Sequence, residues 1–257
     1  APDIHVLPSA ISIPGLGMVP TNAFFIQGEE PLLVDTGLGL DSDAFVAALG
    51  SLTAFDELRW ILITHDDADH CGSLNRLLEL APRARLLTHA LVAVRTYANW
   101  GISLERVDPL TTGDEVRVGK RRLRVVRPPL FDNPTTLGLH DQEAGVFFCV
   151  DAFGGIIPRW EREASAYAEQ ELANALTMWA SFDSPWVRYY ERVAYQELLD
   201  EVRRLGPDLL LSSHLPPARG ILERLLGVLG LLQEAPPFIP PNREVFAQLA
   251  GGVKIAG

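Results

Sequence analysis

RWILITHDDADH, from Arg59 to His70, decides the reading of this 257-residue chain. Its first half is a short apolar run, which predicts a buried strand. Its second half puts five ionisable side chains, His65, Asp66, Asp67, Asp69 and His70, into six positions at the end of that strand. A buried or half-buried site tolerates such charge density only when cations offset it. Two imidazoles with several carboxylates suit zinc, iron or manganese. An isolated Asp-x-Asp would read as a solvated loop; histidines on both sides, directly after an apolar strand, favour metal ligation.

Two further apolar strands finish in the same way. GVFFCV, Gly145 to Val150, runs into Asp151, and DLLLS, Asp208 to Ser212, stops just before His214. Loops at strand ends converge on a rigid scaffold, so functional groups collect there. Taken alone, His214 would read as a hydrogen-bonded histidine. The coincidence of three strand ends makes His65, Asp67, Asp69, His70, Asp151 and His214 one expected metal set.

The flanking sequence supplies the scaffold. NAFFIQ (22–27) and PLLVD (31–35) enclose Gly28-Glu29-Glu30 and predict a hairpin. Glu115 to Val126 alternates charged and apolar residues around Gly119-Lys120, a second hairpin. Helices are expected over 43–49, 73–80, 91–100, 159–182, 186–205 and 220–233, with a short tail over 236–257. Strands alternating with helices imply sheets covered by helices, in a single domain over 1–257. The net charge of −11 predicts no nucleic-acid face. No apolar run reaches membrane-spanning length, and Cys71 and Cys149 are too few for a disulfide framework or a thiolate zinc site. A cytoplasmic protein is the default expectation, with both cysteines as packing residues.

The motif resembles the metallo-β-lactamase superfamily, whose signature runs HxHxDH. The resemblance extends to NAFFIQGEEPLLVDTG (22–37) and Ser213-His214. It implies an α/β fold, an αβ/βα sandwich of two mixed sheets flanked by helices, with two metal ions between the sheet edges. The departures are informative. The second histidine of the signature is Asp67 here, and the diiron branch of flavodiiron and oxygen-binding diiron proteins carries a carboxylate there. Asp151-Ala152-Phe153-Gly154 also resembles that branch. The third histidine of the family falls, by its spacing to Asp151, on Asp132, as in the diiron β-hydroxylases of this fold, where a carboxylate stands. His140, eleven residues before Asp151, is the rival for this seventh ligand.

The resemblance implies a division of labour. His65, Asp67 and Asp132 would hold one ion; Asp69, His70 and His214 the other; Asp151 would bridge them. Asp35 of VDTG resembles a position that supports the metal loop by hydrogen bonds, whereas Asp66 is expected to orient a histidine or face water. His5 and His89 carry no signal beyond packing or surface. Three functions follow as expectations. One is a diiron protein that binds or reduces dioxygen, or oxidises a small substrate, with iron favoured over zinc or manganese. Another is a dinuclear hydrolase of an ester, lactone or phosphodiester, and a third is a non-enzymatic sensor. With 43 residues after His214, no flavodoxin-like domain is expected there, so electrons would come from a separate donor protein. A homo-oligomer is compatible with this reading. Trp160, Trp179, Trp186, Tyr189 and Tyr190 could wall a pocket, although ordinary helix packing is the favoured reading of them.

Overall fold

The strands that end on the candidate ligands are apolar on both faces because helices cover one face and a second sheet covers the other. The computed structural model describes residues 2–256. Along the chain the elements are β1 (Ile4–Leu7), β2 (Ala10–Ile13), β3 (Gly17–Pro20), β4 (Ala23–Ile26), β5 (Leu32–Val34), α1 (Ser42–Gly50), β6 (Trp60–Leu62), α2 (Ala68–Cys71), α3 (Leu74–Leu80), β7 (Arg85–His89), α4 (Ala90–Trp100) and β8 (Val107–Leu110). The second half adds β9 (Glu115–Val118), β10 (Arg121–Val126), β11 (Gly138–Asp141), β12 (Val146–Val150), α5 (Glu169–Asp183), α6 (Arg192–Leu205), β13 (Leu209–Ser212), β14 (Ala218–Arg219), α7 (Leu222–Leu229), α8 (Arg243–Ala250) and β15 (Lys254–Ala256).

One sheet runs in the order β1-β4-β5-β6-β7-β8 and the other β14-β13-β12-β11-β10-β9. Both are mixed. In the first, β5 through β8 are parallel; in the second, β12 and β13 form the parallel pair. The two sheets stack through one apolar layer, in which Phe24, Ile26 and Leu62 of the first meet Leu139, Phe148 and Leu211 of the second. Phe24 and Phe148 meet edge to face at 5.5 Å between ring centres. Residues of the opposite pleat face outward. Phe25, Ile61 and Ile63 pack among side chains of α1, α3 and α4, while Phe147, Cys149 and Leu210 pack among side chains of α5, α6 and α7. This is the expected αβ/βα sandwich, and the period of two explains why its central strands read as unbroken apolar runs.

Three boundaries differ from the sequence reading. The helix expected over 159–182 begins only at Glu169, because Glu171 turns back to accept the Ala168 N–H and fixes the start there. The stretch expected as a helix over 186–205 divides into a short 3₁₀ segment and α6, which Glu191 caps by accepting the Ala194 N–H. The expected tail over 236–257, of which residue 257 lies outside the described residues, contains α8 and β15, and β15 pairs with β2 in a small third sheet with β3. No helix among the described residues is long and apolar enough to cross a membrane.

Phe148 is buried at the centre of the layer between the sheets. Phe148→Ala is expected to lower unfolding stability by about 3–5 kcal/mol. Denaturant unfolding of the two proteins measures this; a loss below 1 kcal/mol would place the core elsewhere.

Candidate metal centre

The site lies where β6, β12 and β13 end side by side. Two local devices shape the loops around it. After β5 the chain turns at Asp35, whose φ is 60°, and Gly72 of the metal loop packs onto this turn. A side chain at Gly72 would lie 2.1 Å from the Gly39 nitrogen and 2.4 Å from the Gly37 oxygen, so only glycine permits the approach. At the end of β12, Val150 adopts a φ of 56°, a strained conformation for a β-branched residue. The Ser213 N–H and the Ser212 hydroxyl both donate to its carbonyl, at 2.8 and 2.9 Å, and hold the bend that aims Asp151 into the site.

Asp151 is the centre of the arrangement. Its Oδ1 lies 3.1 Å from His70 Nε2 and 2.9 Å from His214 Nε2. Its Oδ2 lies 3.3 Å from His65 Nε2. Around the first oxygen, Asp69 completes a group with His70 and His214, at 3.6 and 3.5 Å from their Nε2 atoms. Around the second, Asp67 and Asp132 each approach His65 Nε2 to 3.9 Å. The side chains thus gather into two groups, with one carboxylate oxygen of Asp151 facing each. Oδ2 is fully buried and has no hydrogen-bond partner among the described residues. Leaving a buried carboxylate oxygen unpaired is costly, and a cation between it and the surrounding donors removes that cost. The donors present therefore fit a two-ion centre.

Outer contacts orient the imidazoles. His70 Nδ1 lies 2.8 Å from Asp35 Oδ2, and Asp35 also accepts from the Thr64 N–H at 2.9 Å. His214 Nδ1 lies 2.6 Å from the Pro20 carbonyl, so this nitrogen is a donor, and the ring is held with Nε2 directed at Asp151 Oδ1, 2.9 Å away. Thr64 Oγ1 reaches His65 Nδ1 at 3.2 Å. Asn22, in the opening of the first hairpin, donates to the Ser212 and Leu215 carbonyls on either side of His214. Asp35 thus has the supporting place that the VDTG resemblance implies.

Asp66 departs from expectation. It neither orients a histidine nor faces water, but receives two hydrogen bonds of 2.5 Å from Arg95. Arg95 also donates to Thr135, and Asn133 donates to Asp66, so Asp66 ties the metal loop to the loop that carries Asp132. His140 lies outside the cluster. On β11 it faces away from the layer between the sheets, with its ring against Phe147 at 6.5 Å. Its neighbour Leu139 takes the inner face. Strand alternation therefore turns His140 away from the cluster, whereas Asp132 lies beside His65.

A cavity of about 230 Å³ opens above the cluster. The last turn of α5 supplies its roof through Trp179, Phe182 and Asp183, which share one helix face. The Trp179 ring lies over His214 at 4.1 Å, and its indole N–H donates to the Asp151 carbonyl at 3.1 Å. Gly154 makes room for that ring, since a Cβ there would stand 2.6 Å from the indole nitrogen. Of the five aromatics weighed from sequence, only Trp179 lines the cavity. Trp186 instead donates to the Phe131 carbonyl, next to Asp132. Phe182 and Asp183 were not anticipated; their spacing from Trp179 along one helix was the available signal.

The electrostatics are those of a site built for positive charge. Burial opposes the charged forms of His70 and His214, yet Asp151 and Asp69 outweigh it and raise both pKa values above the ordinary imidazole range. Burial and the neighbouring His70 lower that of His65. Burial and Asp151 push Asp132 up to about 7 and Asp183 up to about 8. Against burial, the three histidines hold Asp151 well below the usual carboxylate range.

Two outcomes are expected. Asp151→Ala should abolish binding of both ions, and Asp132→Ala should weaken one, whereas His140→Ala should keep two; metal analysis after dialysis decides, and two full-occupancy ions in Asp151→Ala would refute the bridge. The second concerns pH in metal-free protein. The raised pKa values of His70 and His214 add stability that is present below the unfolded value of 6.5 and lost as pH rises through the folded values. The raised Asp132 also favours folding at low pH, and this contribution fades between 3.8 and about 7. Tm without metal should therefore fall from pH 6 to 8, while the increase in Tm on adding metal should grow, because metal displaces protons. A metal-free Tm that rises over this interval would contradict the assignment.

The ODP family beta lactamase profile matches residues 19–214, a span that includes every candidate ligand. The type A flavoprotein of Rhodobacter capsulatus is 27% identical over 77% of this chain. The nitric oxide reductase of Moorella thermoacetica is 26% identical over 52% of the chain, which covers 33% of that protein. The chain spans about half the length of the curated relatives it matches, 45% for the Rhodobacter protein. In structure, the rubredoxin oxygen:oxidoreductase of Desulfovibrio gigas superposes with a TM-score of 0.79 at 17% identity, over 91% of this chain and 60% of that one. At that identity the likeness establishes the shared fold. The family match covers most of the chain, and the chain belongs to the ODP family beta lactamase group within the metallo-β-lactamase-like fold.

Proposed function

We propose that this chain is a non-haem diiron protein that binds dioxygen, or a comparably small electron acceptor, and reduces it with electrons from a separate donor. The observation that carries this reading is the donor set around Asp151: three imidazoles and four carboxylates, divided so that Asp69, His70 and His214 form a two-histidine, one-carboxylate group. That group suits ferrous iron. Four carboxylates balance two dications, and their negative charge favours the gain of positive charge on oxidation. Bound iron would supply reversible one-electron chemistry and open coordination positions for the small molecule.

The residues then divide the remaining work. Asp35 and the Pro20 carbonyl hold the Nδ1 sides of His70 and His214, so that Nε2 is aimed inward and would serve as the ligand atom once metal displaces its proton. Trp179 and Phe182 cover one side of the cavity and limit entry of water. The cavity, about 230 Å³, is smaller than the roughly 300–1,000 Å³ of pockets that hold drug-sized ligands. That size supports a small substrate. The named relatives, a flavoprotein, a nitric oxide reductase and a rubredoxin oxygen:oxidoreductase, are consistent with electron transfer and a small gaseous acceptor. The ions, the single-domain organisation and the donor protein are parts of this proposal. Hydrolysis at a dinuclear zinc site is the competing outcome.

The test is anaerobic loading of metal-free protein with ferrous iron. Two irons per chain, a visible absorption band that changes on exposure to air, and dioxygen consumption with a chemical reductant are expected. Stoichiometric zinc after iron-replete growth, with ester or phosphodiester hydrolysis and no dioxygen uptake, would overturn the proposal.

A further inference from the structure

Asp183 ends α5 and lies mostly buried on the wall of the cavity above the metal cluster. One of its oxygens, one of Asp132 and one of Asp151 lie within 4.8 Å of one another. Its hydrogen-bond partner is the Ser184 hydroxyl, at 2.8 Å. It makes no ion pair with an arginine, lysine or histidine among the described residues. Three influences oppose negative charge here. Burial removes water, Asp132 and Asp151 repel a third carboxylate, and the last turn of α5 presents the negative end of the helix dipole. Ordinary folding gives no reason to keep an acid in this place. A cation in the cluster reverses the balance, because it attracts the same carboxylate that its surroundings destabilise. The unpartnered Oδ2 of Asp151, buried and 3.3 Å from His65 Nε2, marks where such a cation would lie.

We propose that Asp183 is an eighth ligand-bearing side chain of the centre, approaching from the cavity side the ion held by His65, Asp67, Asp132 and Asp151 Oδ2. The inference rests on reading these residues as a two-ion centre. It adds a fifth carboxylate to the four already counted. A pair of dications then carries one excess negative charge, and a pair with one trivalent ion is neutral. Asp183 thus deepens the bias of the site towards oxidised iron. It also sets the ion beside His65 apart from the ion beside His214, since only the former gains a ligand on the open side.

Cobalt(II) titration of the metal-free full chain tests this, because cobalt absorption in the visible range reports coordination and chelator competition reports affinity. Wild type should take up two cobalt ions. Asp183→Asn, which keeps the size of the side chain, should hold one ion as wild type does and the other at least about 10-fold more weakly, with altered absorption from that ion alone. Its metal-free Tm should equal or exceed that of wild type, since the substitution removes a buried acid. Two ions bound with wild-type affinities and spectra would overturn the role of Asp183. So would weakened binding of both ions with a lower metal-free Tm, the signature of a structural residue. Fewer than two ions in wild type would instead refute the two-ion reading itself.

Discussion

The structure depends on one buried carboxylate. Asp151 presents its two oxygens to two separate groups of donors and is held in place by a strained residue, Val150, before it and by an indole N–H donated to its own carbonyl. Neither the strain nor the desolvation is tolerable alone. Both become acceptable because hydrogen bonds from Ser212 and Ser213 secure the bend, and because the site as a whole is arranged to receive positive charge. The rest of the fold brings three loops within reach of this group.

Two sheets make that convergence possible. β6 belongs to one sheet, β12 and β13 to the other, and the apolar layer between them sets their separation. Hydrogen bonds then stitch the two halves together at the site. Asn22 of the first half holds the backbone on both sides of His214, and Pro20 receives its ring N–H. Arg95 and Asp66 join the metal loop to the Asp132 loop. These contacts couple packing to chemistry, since a shift between the sheets would misplace donors that must meet within a few ångströms.

The roof has a different origin. Trp179, Phe182 and Asp183 reach the cavity because α5 ends above it, and Gly154 lets the indole lie close to the backbone. Two apolar rings and one acid on the same turn give the cavity an apolar wall with a single polar point. That combination limits its volume and suits a small guest better than an extended organic one.

Much was legible in the chain itself. β4, β5, β6, β12 and β13 read directly, since runs apolar on both faces are what a doubly covered strand requires. His65, Asp67, Asp69, His70, Asp151 and His214 were visible because local density and strand ends are one-dimensional signals. The choice between Asp132 and His140 was not local: it depended on which face of β11 points inward, and so on pairing with β10 and β12. Asp183 and Phe182 were hidden because a helix carries no mark of what lies beneath it. The fold of residues 236–256 was hidden because, among the described residues, β15 pairs with β2, at the other end of the chain. Sequence alone thus determined which strands are buried and which residue types gather at their ends, since both follow from local polarity and period. Tertiary structure decided which donors share the two oxygens of Asp151, because that depends on sheet register and on contacts between residues far apart in the chain.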